Sequence, residues 1–134
     1  MTKAIPKKHA EFIYFLSHTS LFSSVYAIAN KHYDLALVPG LVFLSSINYW
    51  RDPVRGIRRT VDMITVFSTL VYQLYRCLSA ENMALYLFIK ILGMLCYPAS
   101  VYFFDKDEDL SIIFHGFVHL FGNIANIVLY SGYV

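Results

Sequence analysis

His115 and His119 stand four residues apart in an otherwise apolar stretch that reads His-Gly-Phe-Val-His. At 3.6 residues per helical turn this spacing puts both imidazoles on one face, where two neutral rings can offer nitrogens to a single metal ion. A carboxylate from a second helix would make a third ligand and leave a position for water. Zn2+ lowers the pKa of such a water enough to make it a hydrolytic nucleophile. Asp62, in the first turns of another apolar segment, is the carboxylate available, and His18 is a further histidine within an apolar stretch. The same chemistry has a plainer use, because His, Asn and Ser also join helices inside a bilayer by hydrogen bonds. The row that begins at His115 and His119 continues through Asn123 and Asn126, with Gly116 and Gly122 beside it to let backbones approach. Spacing leaves both uses open, and packing is the commoner one.

These side chains need helices to carry them, and the composition says of what kind. Of the 134 residues 57% are apolar, 17% aromatic and 15% charged, with a mean hydropathy of +0.52. Soluble domains carry roughly a quarter charged residues. The acids and bases also gather in short clusters between long apolar runs, which is how loops alternate with bilayer spans. Crossing about 30 Å of hydrocarbon takes about 20 predominantly apolar residues. Five stretches come near this, at 12–30, 35–50, 61–77, 83–104 and 110–133. The second and third are short, although Tyr, Trp and Arg at their ends extend them into the interface. Pro39 and Gly40 can kink the second, and a re-entrant segment there is the alternative. The expected fold is all-α: a single transmembrane domain over 1–134, a bundle of about five transmembrane helices with four as the fallback.

Polar stripes recur on four of the five. Asp62, Thr65, Thr69 and Gln73 follow a helical repeat in the third, Ser45, Asn48, Tyr49 and Asp52 end the second, and His18 lies beside Ser17, Ser20, Ser24 and Ala27 in the first. At 1.5 Å per residue, His115, His119 and His18 lie roughly 8 to 14 Å from the same membrane face. Lys90 falls inside the fourth stretch and is expected to snorkel towards headgroups. His9 and His32 fall near the surface and are assigned no role. Cys77 and Cys96 lack metal or redox spacing and read as small buried hydrophobes.

Lys3, Lys7 and Lys8 precede the first stretch, and Arg51, Arg55, Arg58 and Arg59 follow the second. By the positive-inside rule both segments are cytoplasmic, so the N-terminus is cytoplasmic and, after five crossings, the C-terminus is outside or luminal. The arginines are placed to meet anionic headgroups at the cytoplasmic face. A net charge of +2 without a basic stripe excludes nucleic acid as a partner. The expected partners are membrane lipids and other helices, in a homo- or hetero-oligomer.

The ordered polar residues resemble the membrane metal-hydrolase superfamily of alkaline ceramidases, GPI-lipid remodelling proteins and progestin and adipoQ receptors. There, a Ser and a His end one early helix, an Asp opens the next, and an H-x-x-x-H pair lies on the last. The matching pieces are Ser45 or Ser46, Asp62, and His115 with His119. The resemblance implies Zn2+ held by His115, His119 and Asp62, with Ser45 or Ser46 assisting attack of water on a lipid amide or ester. The family's early histidine has no counterpart at 48–51, which read Asn-Tyr-Trp-Arg, and His18 is the substitute another helix could bring. The family also has seven spans where five are expected here. Two functions follow: a non-catalytic helix-packing or assembly component of hydrolase-like ancestry, which the missing ligand favours, and a zinc-dependent lipid hydrolase.

Overall fold

The computed structural model describes residues 5–54 and 56–134. Lys3 and Arg55, two of the bases used to orient the chain, lie outside the described residues. Among the described residues the regular structure is all helical: α1 (Lys7–Ser17), α2 (Thr19–Ala29), α3 (Tyr33–Trp50), α4 (Ile57–Cys77), α5 (Met83–Phe103) and α6 (Glu108–Tyr130). Each of the five expected spans corresponds to a helical rod, because α1 and α2 are one rod interrupted at His18. There the chain tightens: the His18 amide bonds the Phe15 carbonyl, and the Thr19 hydroxyl bonds the Leu16 carbonyl at 2.6 Å. Side-chain back-bonding of this kind bends helices.

Among the described residues three rods are long and apolar enough to cross a membrane, namely Lys7–Ala29, Met83–Phe103 and Glu108–Tyr130. The other two fall short for visible reasons. α3 has only 18 residues, with Tyr33 and Asp34 at one end and Asn48 at the other, and α4 carries Arg58, Arg59, Asp62 and Arg76. The first rod also begins earlier than expected, at Lys7 rather than 12. Residues 9 and 10 are buried against the bundle, so the helix there is held by packing although lysines flank it.

α4 packs along α3 and α5 along α6, while α1 and α2 lie between α3 and α6. Where the α2–α3, α4–α5 and C-terminal ends meet, Ala27, Leu35, Ala36, Cys77, Tyr86, Ala125, Leu129 and Tyr130 form the apolar core. Large apolar side chains such as Phe15, Phe22, Phe67, Phe88 and Leu95 face outwards and are more than half exposed. An aqueous surface does not tolerate that density of them.

Two turns show how the sequence ends its helices. After α2, the His32 amide bonds the Ala27 carbonyl and the Lys31 amide the Ile28 carbonyl, both at 2.9 Å, with Lys31 in the left-handed region (φ 63°). This is a Schellman closure with lysine in the glycine position. Before α4, Gly56 has φ 139°, a conformation that side chains resist.

Pro39 sits inside α3 and lacks the N–H that would bond the Leu35 carbonyl. The Tyr130 hydroxyl of α6 donates to that carbonyl instead, at 3.3 Å, and the Gln73 amide of α4 donates to the same hydroxyl at 2.6 Å. The defect in one helix is thereby repaired by two others.

Candidate functional site

The serines and the aspartate come together. Ser45 and Ser46 lie on the buried face of α3 near its end, Asp62 lies just over one turn into α4, and the short loop between the helices folds them side by side. Both hydroxyls donate to one carboxylate oxygen of Asp62, at 2.9 and 3.0 Å. Ser45 also reaches the Val42 carbonyl of its own helix at 3.2 Å. All three residues are buried, and this trio binds α3 to α4.

The histidines gather elsewhere. His115 Nδ1 lies 2.8 Å from His9 Nε2, a contact in which one ring donates and the other accepts. The His9 ring stacks on Trp50, with centroids 6.0 Å apart and planes within 8°, and Trp50 meets His115 edge-on. His119 stacks beneath His115 at 5.7 Å. His115 and His119 therefore share a face, which points at α1 and the end of α3. His9 is 3% exposed, and its Nδ1 is buried without a hydrogen-bond partner among the described residues. Reading the sequence as a surface histidine missed it. Its signal was the row His9, Ile13, Ser17 and Ser20, whose steps of four, four and three mark one buried helical face.

His18 is half-buried at the break between α1 and α2, where its Nδ1 contacts the Tyr14 carbonyl at 2.9 Å and its ring meets Phe43. It is not brought to His115. Among the described residues no three His, Cys, Asp or Glu side chains converge as the ligands of a metal would. The donors are also otherwise engaged, since His115 Nδ1 faces His9 and the Asp62 carboxylate takes both serine hydroxyls. As arranged here, His115, His119, Asp62 and His18 do not fit a zinc ion.

Below the histidines the α6 stripe turns to other helices. The Asn123 side chain accepts from Ser23 at 2.6 Å and donates to Thr19 at 2.8 Å, so that one amide clamps α2. Asn126 accepts from Lys90 Nζ at 3.1 Å. Lys90 thus reaches inwards rather than snorkelling, with its ammonium also 3.4 Å from the Gly122 carbonyl and over the Tyr86 ring. The expectation of a headgroup contact was wrong because α6 supplies an amide oxygen within reach. On α4, Asp62, Thr69 and Gln73 of the expected stripe are buried.

The chain matches no known family, curated protein or solved structure.

Proposed function

We propose that the chain is a multi-pass membrane component whose polar stripes assemble helices, without catalysis of its own. The observation that carries this reading is the Asn123 clamp, together with the way the neighbouring polar groups are spent on other helices. Asn123 holds α2, Asn126 holds Lys90 of α5, His115 holds His9 of α1, and Asp62 holds Ser45 and Ser46 of α3. Such groups in hydrocarbon need partners, and pairing them across helices fixes one arrangement of the bundle.

Chelator and alanine substitutions test this reading together. Asn123→Ala removes two interhelical hydrogen bonds and is expected to cost about 1 to 2 kcal/mol, while His115→Ala and His119→Ala cost on the order of 1 kcal/mol each. Thermal unfolding in detergent should show these losses, with no effect of chelator on any of the four proteins. A wild type that chelator destabilises, beside histidine variants that it leaves alone, would sink the packing reading. The union of Ser45, Ser46 and Asp62 accords with hydrolase-like ancestry; the second reading, a zinc-dependent lipid amide or ester hydrolase, further requires His115 and His119 to come to Asp62. One zinc per purified chain by elemental analysis would promote it over the first.

The accompanying topology is five crossings, with the N-terminus cytoplasmic and the C-terminus outside or in a lumen. Lys7 and Lys8 at one helix end, and Arg51, Arg58 and Arg59 after α3, support it through the positive-inside rule. Compartment reporters fused to the two ends should give opposite signals. The same signal from both would remove the five-span topology.

A further inference from the structure

A groove of about 470 Å³ opens at the end of the bundle where α1 begins and α3 runs out. Lys7, Glu11 and Tyr14 form one wall, at steps of four and three that place them on one face of α1. Trp50, Arg51 and Asp52, consecutive at the end of α3, form the other. The volume falls within the roughly 300 to 1,000 Å³ of small-molecule sites.

The charges in this groove are balanced and divided, with two bases, two acids and two aromatic rings. Lys7 pairs with Glu11 at 3.7 Å along α1. Arg51 is held by Asn48 of its own helix, through the carbonyl at 3.1 Å and the side-chain oxygen at 3.2 Å, and Asp52 pairs with Arg58 at 3.6 Å. Among the described residues Lys7, Glu11 and Arg51 bond within their own walls and Asp52 bonds Arg58 of α4, and none of these contacts crosses the groove. A ligand could therefore bridge the walls without first breaking a bond across the groove. The Arg51 guanidinium is held ready for a phosphate, which it recognises with fixed geometry. The Tyr14 and Trp50 rings, with the Glu11 and Asp52 carboxylates, suit a cation.

The position narrows the ligand further. Given the multi-pass membrane reading, on which this inference rests, helix ends that carry Tyr and Trp lie at the level of the headgroups. We infer that the groove between α1 and the end of α3 binds the zwitterionic headgroup of a phospholipid, its phosphate at Arg51 and Lys7 and its ammonium at Glu11, Asp52 and the two rings. An anionic headgroup lacks the cation these carboxylates require and meets their repulsion. Arg51 belongs also to the arginine segment expected to meet anionic lipid, and the carboxylates of Glu11 and Asp52 beside it are what set this site apart.

Trp50 is the sole tryptophan of the chain and lines the groove, so its fluorescence reports on the site directly. The protein would be reconstituted into phosphatidylglycerol vesicles doped with a small fraction of phosphatidylcholine that carries a nitroxide on its headgroup. Quenching of Trp50 should exceed that expected from the mole fraction of labelled lipid several-fold. Unlabelled phosphatidylcholine should relieve the excess, and further phosphatidylglycerol should not. Arg51→Gln and Glu11→Gln should each lower the excess by about twofold to fivefold, as loss of one exposed charge contact does. Quenching that merely follows mole fraction, or equal relief by both lipids, would overturn the site while leaving the membrane reading intact. Failure of the chain to enter vesicles at all would overturn both.

Discussion

Leucine in place of Gly93 is expected to force α5 away from α6 and to cost about 3 kcal/mol, the upper part of the usual range for overpacking. Gly93 is the one glycine of α5, and it is buried against α6. A Cβ built there would lie 3.1 Å from the Cβ of Phe121 and 3.5 Å from the backbone nitrogen of Gly122. Neither atom can swing aside, and α6 is the helix along which α5 packs. Gly122 itself provides the control, because a Cβ on it meets nothing within 4 Å. Gly122→Ala should be neutral or should add about 0.5 to 1 kcal/mol through helix propensity. Melting in detergent, followed by the surviving monodisperse fraction, measures both. Wild-type stability for Gly93→Leu would mean that α5 and α6 do not meet at this residue.

The double substitution Ser45→Ala with Ser46→Ala is expected to cost about 3 kcal/mol or more, because each hydrogen bond to a charged group contributes about 1.5 to 3 kcal/mol. It strips both hydroxyl donors from a buried carboxylate, and the remaining charge has to stay desolvated. Adding Asp62→Leu should return most of the loss, since a buried polar set exchanged whole for apolar groups is often neutral. Asp62→Leu alone should be mild at Ser45, whose hydroxyl keeps the Val42 carbonyl as an acceptor. If the triple variant were no more stable than the double one, the carboxylate would not be the origin of the loss.

The helices were legible in the sequence because hydropathy acts over whole turns, and each expected stretch corresponds to a rod. Their starts were less so. The first begins at Lys7 because α1 buries His9 and Ala10, and local composition carries no trace of that tertiary contact. The meeting of Ser45 and Ser46 with Asp62 was foreshadowed by their places at either side of one short loop. The histidines illustrate what spacing does not say. A four-residue step does put His115 and His119 on one face, yet which helix that face meets depends on the rotation of α6 in the bundle, and the helix it meets is α1 with His9. Lys90 was misread for the same reason: whether a long cation turns to headgroups or inwards depends on an acceptor, Asn126, that lies 36 residues away in sequence.

The repair of Pro39 also sets an order of events. The Leu35 carbonyl lacks its usual helical donor from the moment α3 is made, whereas Tyr130, which supplies the substitute, follows 95 residues later. Until α6 arrives, α3 carries an acceptor without that partner, and away from water an unpaired backbone group costs several kcal/mol. Maturation of α3 therefore waits on α6, and a nascent chain arrested before Tyr130 would present quality-control machinery with an unfinished α3.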